Sequence, residues 1–263
     1  ANGIKLILVP QKESLSTTVM VLVEAGSKYE TKNLSGISHF LEHMCFKGTT
    51  KRPRSIMLAE ELDSLGAQYN AFTSEEFTSY YAKVKNESLP QVLEIISDLY
   101  LNPTFDSKEI EKEKGVIIEE INMYEDVPQR KVQELFMERV YGDQPVGWGV
   151  AGKKEVIRKV KREDFINYRS KHYVPQATTV VVSGGLKEKE VITGMNKCFL
   201  GLKKSKKFGK EKVRETQKKS QSLIKHKKSD QTHLVMGFRA FNAFDKRRLA
   251  LQVMMNILGG GMS

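Results

Sequence analysis

Residues 36–49 read GISHFLEHMCFKGT. His39 and His43 stand four residues apart, with Glu42 directly before the second. Ile37, Phe40, Leu41, Met44 and Cys45 recur at spacings of three and four, which predicts a helix over residues 35–46. At about 100° per residue, His39, Glu42 and His43 fall within one arc of about 100°. Two imidazoles one turn apart can grip a single Zn²⁺, each through one nitrogen. A glutamate beside them is placed to accept a proton from water held at the metal. The order is the reverse of the better-known HExxH, and the geometry works either way.

A tetrahedral catalytic zinc needs a third protein ligand. His172, His226 and His233 each stand alone, without ligand spacing. The acidic helix pattern EIEKEKGVIIEEINMYE, residues 109–125, offers an oxygen from Glu113, Glu119 or Glu120. Cys45 lies about 200° around the helix from His43 and reads as core rather than ligand. Trp148 reads as a loop anchor, His172 as structural, and Met57, Met123 and Met137 as core filling.

Outward from this helix, strand-like runs occur at residues 5–9, 17–24, 68–72, 77–84 and 177–183. Helical patterns fill residues 55–65, 90–101, 107–125, 128–141, 154–159 and 163–172, with Ser107 a candidate cap. Strands grouped at both ends with helices between them predict an α+β fold. The expected core is a mixed, mainly antiparallel sheet with helices on one face. Residues 231–238 and 246–258 restart the pattern as one strand and one helix, too little to bury a core. The expected division is a metal-bearing domain over residues 1–210. Residues 211–263 would be the end of a basic linker and the start of a truncated second domain of similar type.

The net charge of +11 is local. Residues 187–228 hold 15 Lys or Arg against four Glu, and the remainder balances 28 basic with 28 acidic residues. Such a stripe suits a solvated connector, or a nucleic-acid-binding module as a competing reading. Two cysteines exclude a disulfide scaffold. No apolar run approaches the ~20 residues of a membrane span. The opening ANGIKLILVPQ lacks a signal-peptide pattern, and a removed leader is the expectation.

Three blocks in order resemble the pitrilysin-type, inverted-motif M16 zinc metallopeptidases. They are NLSGISHFLEHMCFKGTTKRP, LGAQYNAFTSEEFTSYYAKV and EKEKGVIIEEINMYEDVP. Within the family, the mitochondrial processing peptidase β-type subunits and their bacterial homologues are the most similar. GDQPVGW, ATTVVVSGG and ILGGGMS fit as well. The resemblance implies one Zn²⁺ per chain on His39, His43 and Glu120, with Glu42 as general base and Glu113 beside it among the catalytic residues, as the accessory acidic residue that holds a ligand or positions groups at the metal. It also implies substrate binding beside the metal by Asn70, Ala71, Phe72 and Thr73, where an edge strand receives an extended peptide. The expected function is a zinc endopeptidase acting on unfolded peptides or presequences. The expected partners are the remaining part of the peptidase and a second subunit, and this chain alone is expected to cleave poorly. A non-catalytic scaffold subunit of the same family is the alternative, against which the intact HFLEH argues. The near-neutral remainder favours a bacterial cytoplasmic setting over the mitochondrial matrix.

Overall fold

A computed structural model describes residues 2–228 and 230–260. The elements run β1 (Lys5–Pro10), β2 (Ser16–Val23), α1 (Ile37–Cys45), α2 (Ser55–Ser64), β3 (Gln68–Thr73), β4 (Thr78–Lys85), α3 (Leu89–Leu101), α4 (Ser107–Asp126), α5 (Pro128–Tyr141), α6 (Lys154–Ile157), α7 (Arg162–His172), β5 (Thr178–Gly184), α8 (Glu188–Phe199) and α9 (Arg248–Met255). The five strands form one sheet in the order β1-β5-β2-β4-β3. β1 pairs with β5 in parallel, and the other three pairings are antiparallel. The sheet is therefore mixed and mainly antiparallel, as the strand pattern predicts.

Period-two alternation decides the layers. Register aligns Leu6, Val180, Val21, Tyr80 and Ala71 in one row across all five strands. Val180, Val21 and Tyr80 in that row are fully buried, and β2 and β5 alternate buried with half-buried residues along their length. α3 packs on β2 and β4, and α8 packs on α3. β3 forms the free edge beside β4, and α1 lies against it.

A buried charge cluster fixes the exit from α1. Arg52 donates to Asp98 at 2.8 Å, to Glu61 at 2.7 Å and to Glu94 at 2.6 Å. Thr49 Oγ1 donates to the same Asp98 oxygen at 2.5 Å, and Arg52 N–H donates back to Thr49 at 2.9 Å. The loop after α1 is thereby tied to α2 and α3.

Several expectations change. α4 is capped by Asp106, not Ser107: its carboxylate accepts from the N–H groups of Lys108 and Glu109. Both residue types cap well, and Asp106 holds the non-helical position before the first turn. Met123 is 54% exposed and fills no core, because it lies on the solvent side of α4. Residues up to His226 form one compact unit and those from Lys227 onward another, so the first unit holds nearly all of the basic segment together with the expected metal-bearing domain. In the second unit, residues 231–238 form no strand among the described residues, and α9 is the regular helix. A strand needs a partner ladder for its N–H and C=O groups, and among the described residues of this unit no second strand supplies one. Gly261, Met262 and Ser263 of the terminal GGGMS lie outside the described residues.

Residues 203–228 contain no helix or strand among those described, which agrees with a connector. Its first part is nevertheless fastened. Lys207 pairs with Glu24 and Lys210 with Glu76, both at 2.5 Å. Gln144 binds the Arg214 backbone through both its amide nitrogen and its oxygen.

His172, at the end of α7, is 3% exposed and stands against Tyr168, Tyr29 and Phe208. Its Nδ1 is buried without a hydrogen-bond partner among the described residues. Burial first, then the Lys171 charge, holds its pKa down at about 4, against 6.5 when unperturbed. The unfolded chain therefore binds more protons between these values, and stability rises with pH across that window. The His172 contribution is fully present above about pH 6.5 and is lost as pH falls toward 4, up to about 3 kcal/mol. Urea midpoints measured from pH 7 to pH 4 should fall less steeply in His172→Phe; equal slopes would remove His172 as the cause.

Candidate metal centre

α1 begins at a crossing of two glycines. Gly36 caps it with φ +95° and Gly152 lies opposite with φ +76°. A Cβ on Gly36 would sit 2.7 Å from Ala151 O, and one on Gly152 would sit 2.3 Å from Ser35 O. Left-handed backbone and close approach both require glycine here. The buried Glu30 accepts from Gly36 N–H at 2.7 Å and from Ser38 N–H at 2.8 Å. A remote carboxylate thus satisfies donors at the start of α1 and complements its dipole.

The apolar stripe predicted for α1 is fully buried: Ile37, Phe40, Leu41, Met44 and Cys45. Seating it against the core turns His39 and His43 toward α4. Their Nε2 atoms approach to 3.3 Å. Glu120 Oε2, from α4, lies 3.6 Å from each. These three side chains form a grouping fit to hold a metal ion.

The donor set fits zinc. Bonds of ~2.0–2.1 Å in a tetrahedron put ligand atoms ~3.3–3.4 Å apart, close to the sides of this triangle. His43 Nδ1 meets Glu113 Oε1 at 2.9 Å, so Nδ1 carries the proton and Nε2 turns its lone pair to the cluster. Glu113 is held in turn by Lys47 at 2.6 Å. Despite burial, the bonds from His43 and Lys47 lower the Glu113 pKa. Burial, then the neighbouring His43, pushes His39 down to about 4, so its imidazole is neutral and free to ligate. Burial also lowers His43, but its bond to Glu113 and the surrounding carboxylates outweigh this and raise it. A proton on His43 therefore competes with a metal.

Glu42 is nine-tenths buried beside this triangle. Burial raises its pKa against the opposing Thr73 bond and the His43 charge. Thr73 Oγ1 donates to Glu42 Oε2 at 2.5 Å. The residues that line a cavity here include Glu42, His43, Lys47, Asn70, Ala71 and Glu113. On β3, Tyr69, Ala71 and Thr73 alternate with the more exposed Asn70 and Phe72. Phe72 packs against Phe77 and Tyr81, and Asn70 Oδ1 accepts from the Ala71 N–H. Glu119 bonds Asn122 on an exposed part of α4.

Lys47 and Glu30 escaped the sequence reading. Lys47 lies in the turn just past the end of α1, where helical spacing no longer relates it to His43. Glu30 has no local signal, because it precedes α1 in irregular chain. Thr73 was legible as part of the site, but its bond to Glu42 depends on how β3 lies against α1.

Comparison with known proteins follows the same lines. Residues 6–154 match the family described as Insulinase (Peptidase family M16), and residues 159–263 match Peptidase M16 inactive domain. The chain is 37% identical over 264 residues to the uncharacterized zinc protease YmxG of Bacillus subtilis, covering all of this chain and 63% of that protein. It is 36% identical over 188 residues to the mitochondrial-processing peptidase subunit beta of Caenorhabditis elegans, covering 72% of this chain and 41% of that one. The crystal structure of a protease from Helicobacter pylori superposes with a TM-score of 0.75 at 26% identity, covering 81% of this chain and 52% of that one. The chain thus spans less than two thirds of the length of these relatives. Sequence and architecture agree on a single conclusion: this chain belongs to peptidase family M16.

Proposed function

We propose that this chain is the metal-bearing part of a zinc endopeptidase, holding one Zn²⁺ on His39, His43 and Glu120. The observation that carries this reading is the 3.3–3.6 Å triangle of two Nε2 atoms and one carboxylate oxygen. Zinc bound there supplies Lewis acidity, making water nucleophilic near neutral pH and stabilising charge on a carbonyl oxygen.

Glu42 is the proton acceptor. Its raised pKa brings it nearer to working pH, where a general base and acid is most effective. Thr73 engages Oε2 and fixes the carboxylate plane, so that Oε1 takes the proton of the attacking water. Glu42 then returns that proton to the departing amine. Glu113 keeps His43 in the ligating tautomer.

The free edge of β3 suits an extended peptide through main-chain pairing, which reads shape rather than sequence. Ala71 and Thr73 face Glu42 in this arrangement, while Asn70 and Phe72 contact the substrate from the rim and the outer face. Unfolded peptides or presequences are the substrate class that such pairing favours.

We take residues 1–210 as the metal-bearing domain, supported by β5, which inserts between β1 and β2 and completes the sheet only with residues 178–184. Residues 211–263 then begin a second domain, completed by the remaining part of the peptidase and a second subunit. Among the described residues no helix is long and apolar enough to cross a membrane. We take the setting as bacterial and cytoplasmic; its bacterial part is supported by similarity over the whole of this chain to a bacterial relative, against 72% of it to a mitochondrial one.

Elemental analysis of wild type and Glu120→Ala tests the centre. Wild type should carry close to one zinc per chain after dialysis, and the variant less than about a tenth of that, having lost one of three ligands. Wild type that remains zinc-free after reloading would sink the reading and favour a scaffold subunit.

A further inference from the structure

The three donors of the metal centre are not held alike. His43 is braced by Glu113. His39 Nδ1 is buried and meets no partner among the described residues. Glu120 is braced from its own helix. Tyr124 lies one turn further along α4, on the same face, and its hydroxyl donates to Glu120 Oε1. The other oxygen, Oε2, is the one that faces both imidazoles. The two oxygens of one carboxylate therefore have separate duties.

The ring carrying this hydroxyl is itself pinned. The Arg130 guanidinium carbon lies 3.3 Å from the Tyr124 ring centroid. Arg130 reaches the ring because the chain turns sharply between two helices. Val127 is extended, and Pro128 opens α5 with its φ already set and no N–H to satisfy. A guanidinium over a phenol face is favourable by ~0.5–2 kcal/mol and restricts rotation of the ring.

From this geometry we infer that Tyr124 is a positioning residue for the metal centre, with Arg130 as its brace. The phenol reserves Oε1, so Glu120 presents a single oxygen to the ion. A carboxylate with both oxygens free can use both, and it then fills the position that a catalytic zinc site keeps open. The inference rests on the zinc reading above and adds to it a residue that holds the ligand without touching the ion.

Tyr124→Phe keeps the ring under the Arg130 guanidinium and removes the hydroxyl, with its bonds to Glu120 and Arg130. Zinc affinity of the 263-residue chain would be measured by competition with a chromophoric chelator, and the visible spectrum recorded on the Co²⁺ form. Wild type and Arg130→Met would be measured alongside. Tyr124→Phe should bind zinc about 10–100-fold more weakly, the usual cost of losing an outer partner of a ligand. Its cobalt bands should weaken as the carboxylate adds its second oxygen. Arg130→Met should move both readouts the same way, by less. Unchanged affinity and spectrum, with wild type binding one equivalent, would overturn the positioning role and leave the zinc reading intact. Weaker affinity with an unchanged spectrum would mark Tyr124 as merely structural and also overturn it. Wild type that takes up neither metal would overturn both.

Discussion

Glu42→Gln should retain its zinc and lose peptide cleavage by about 10²–10⁴-fold in the assembled peptidase, the range for removing a general acid–base group. The substitution is close to isosteric, and the amide oxygen still accepts the Thr73 hydroxyl that Glu42 Oε2 accepts now. The nine-tenths-buried site is left without a formal charge, so the fold is not asked to bury a new one. The metal triangle does not include Glu42, which predicts unchanged zinc content. What is lost is the group that we propose accepts a proton from water and hands it to the leaving amine. Single-turnover cleavage of a quenched peptide, with zinc measured on the same sample, separates the two. Full turnover with zinc in place would remove Glu42 as the base.

Arg52→Leu should destabilise the first unit by about 3–5 kcal/mol, the cost of breaking a buried ion pair from one side. Asp98 is 1% exposed at its side chain and would keep Thr49 and Asn102 as partners but no cation. Glu61 and Glu94 are more exposed and would turn to water, so Asp98 carries most of the cost. Replacing Asp98 by Asn in the same chain should recover a large part, because a paired replacement leaves no buried charge behind. Urea unfolding of both variants measures this. A single variant within about 0.5 kcal/mol of wild type would show the cluster to be ornamental.

What the sequence yields and what it withholds follow from the range of the interactions. The helix over α1 and the gathering of His39, Glu42 and His43 on one arc of it were legible because they depend on angular spacing within nine residues. β2 and β5 were legible because their β-branched residues alternate at period two between an inner and an outer face. Glu113, Glu119 and Glu120 were not separable by pattern: all three sit on one acidic helix, and only the packing of α4 against α1 turns Glu120 to the imidazoles and Glu119 to water. Arg130 and Glu30 were invisible for a related reason. Each acts across a chain turn or irregular segment, where no periodicity relates one side chain to another. Residues 231–238 erred the other way. Their β-propensity was read correctly, but propensity does not supply a neighbouring strand.

The crossing of Gly36 and Gly152 bears on any attempt to transplant the motif. HFLEH looks like a five-residue cassette that could be written into any exposed helix of a designed scaffold. Here the helix that carries it starts where it does because another loop lies across its first turn, backbone against backbone. Neither glycine can be exchanged for alanine, and exchanging both brings no relief, since each holds a left-handed conformation of its own. A graft must therefore carry the loop as well as the helix, or supply another fixture that stops the first turn from drifting. Without it the two imidazoles keep their spacing and lose their aim.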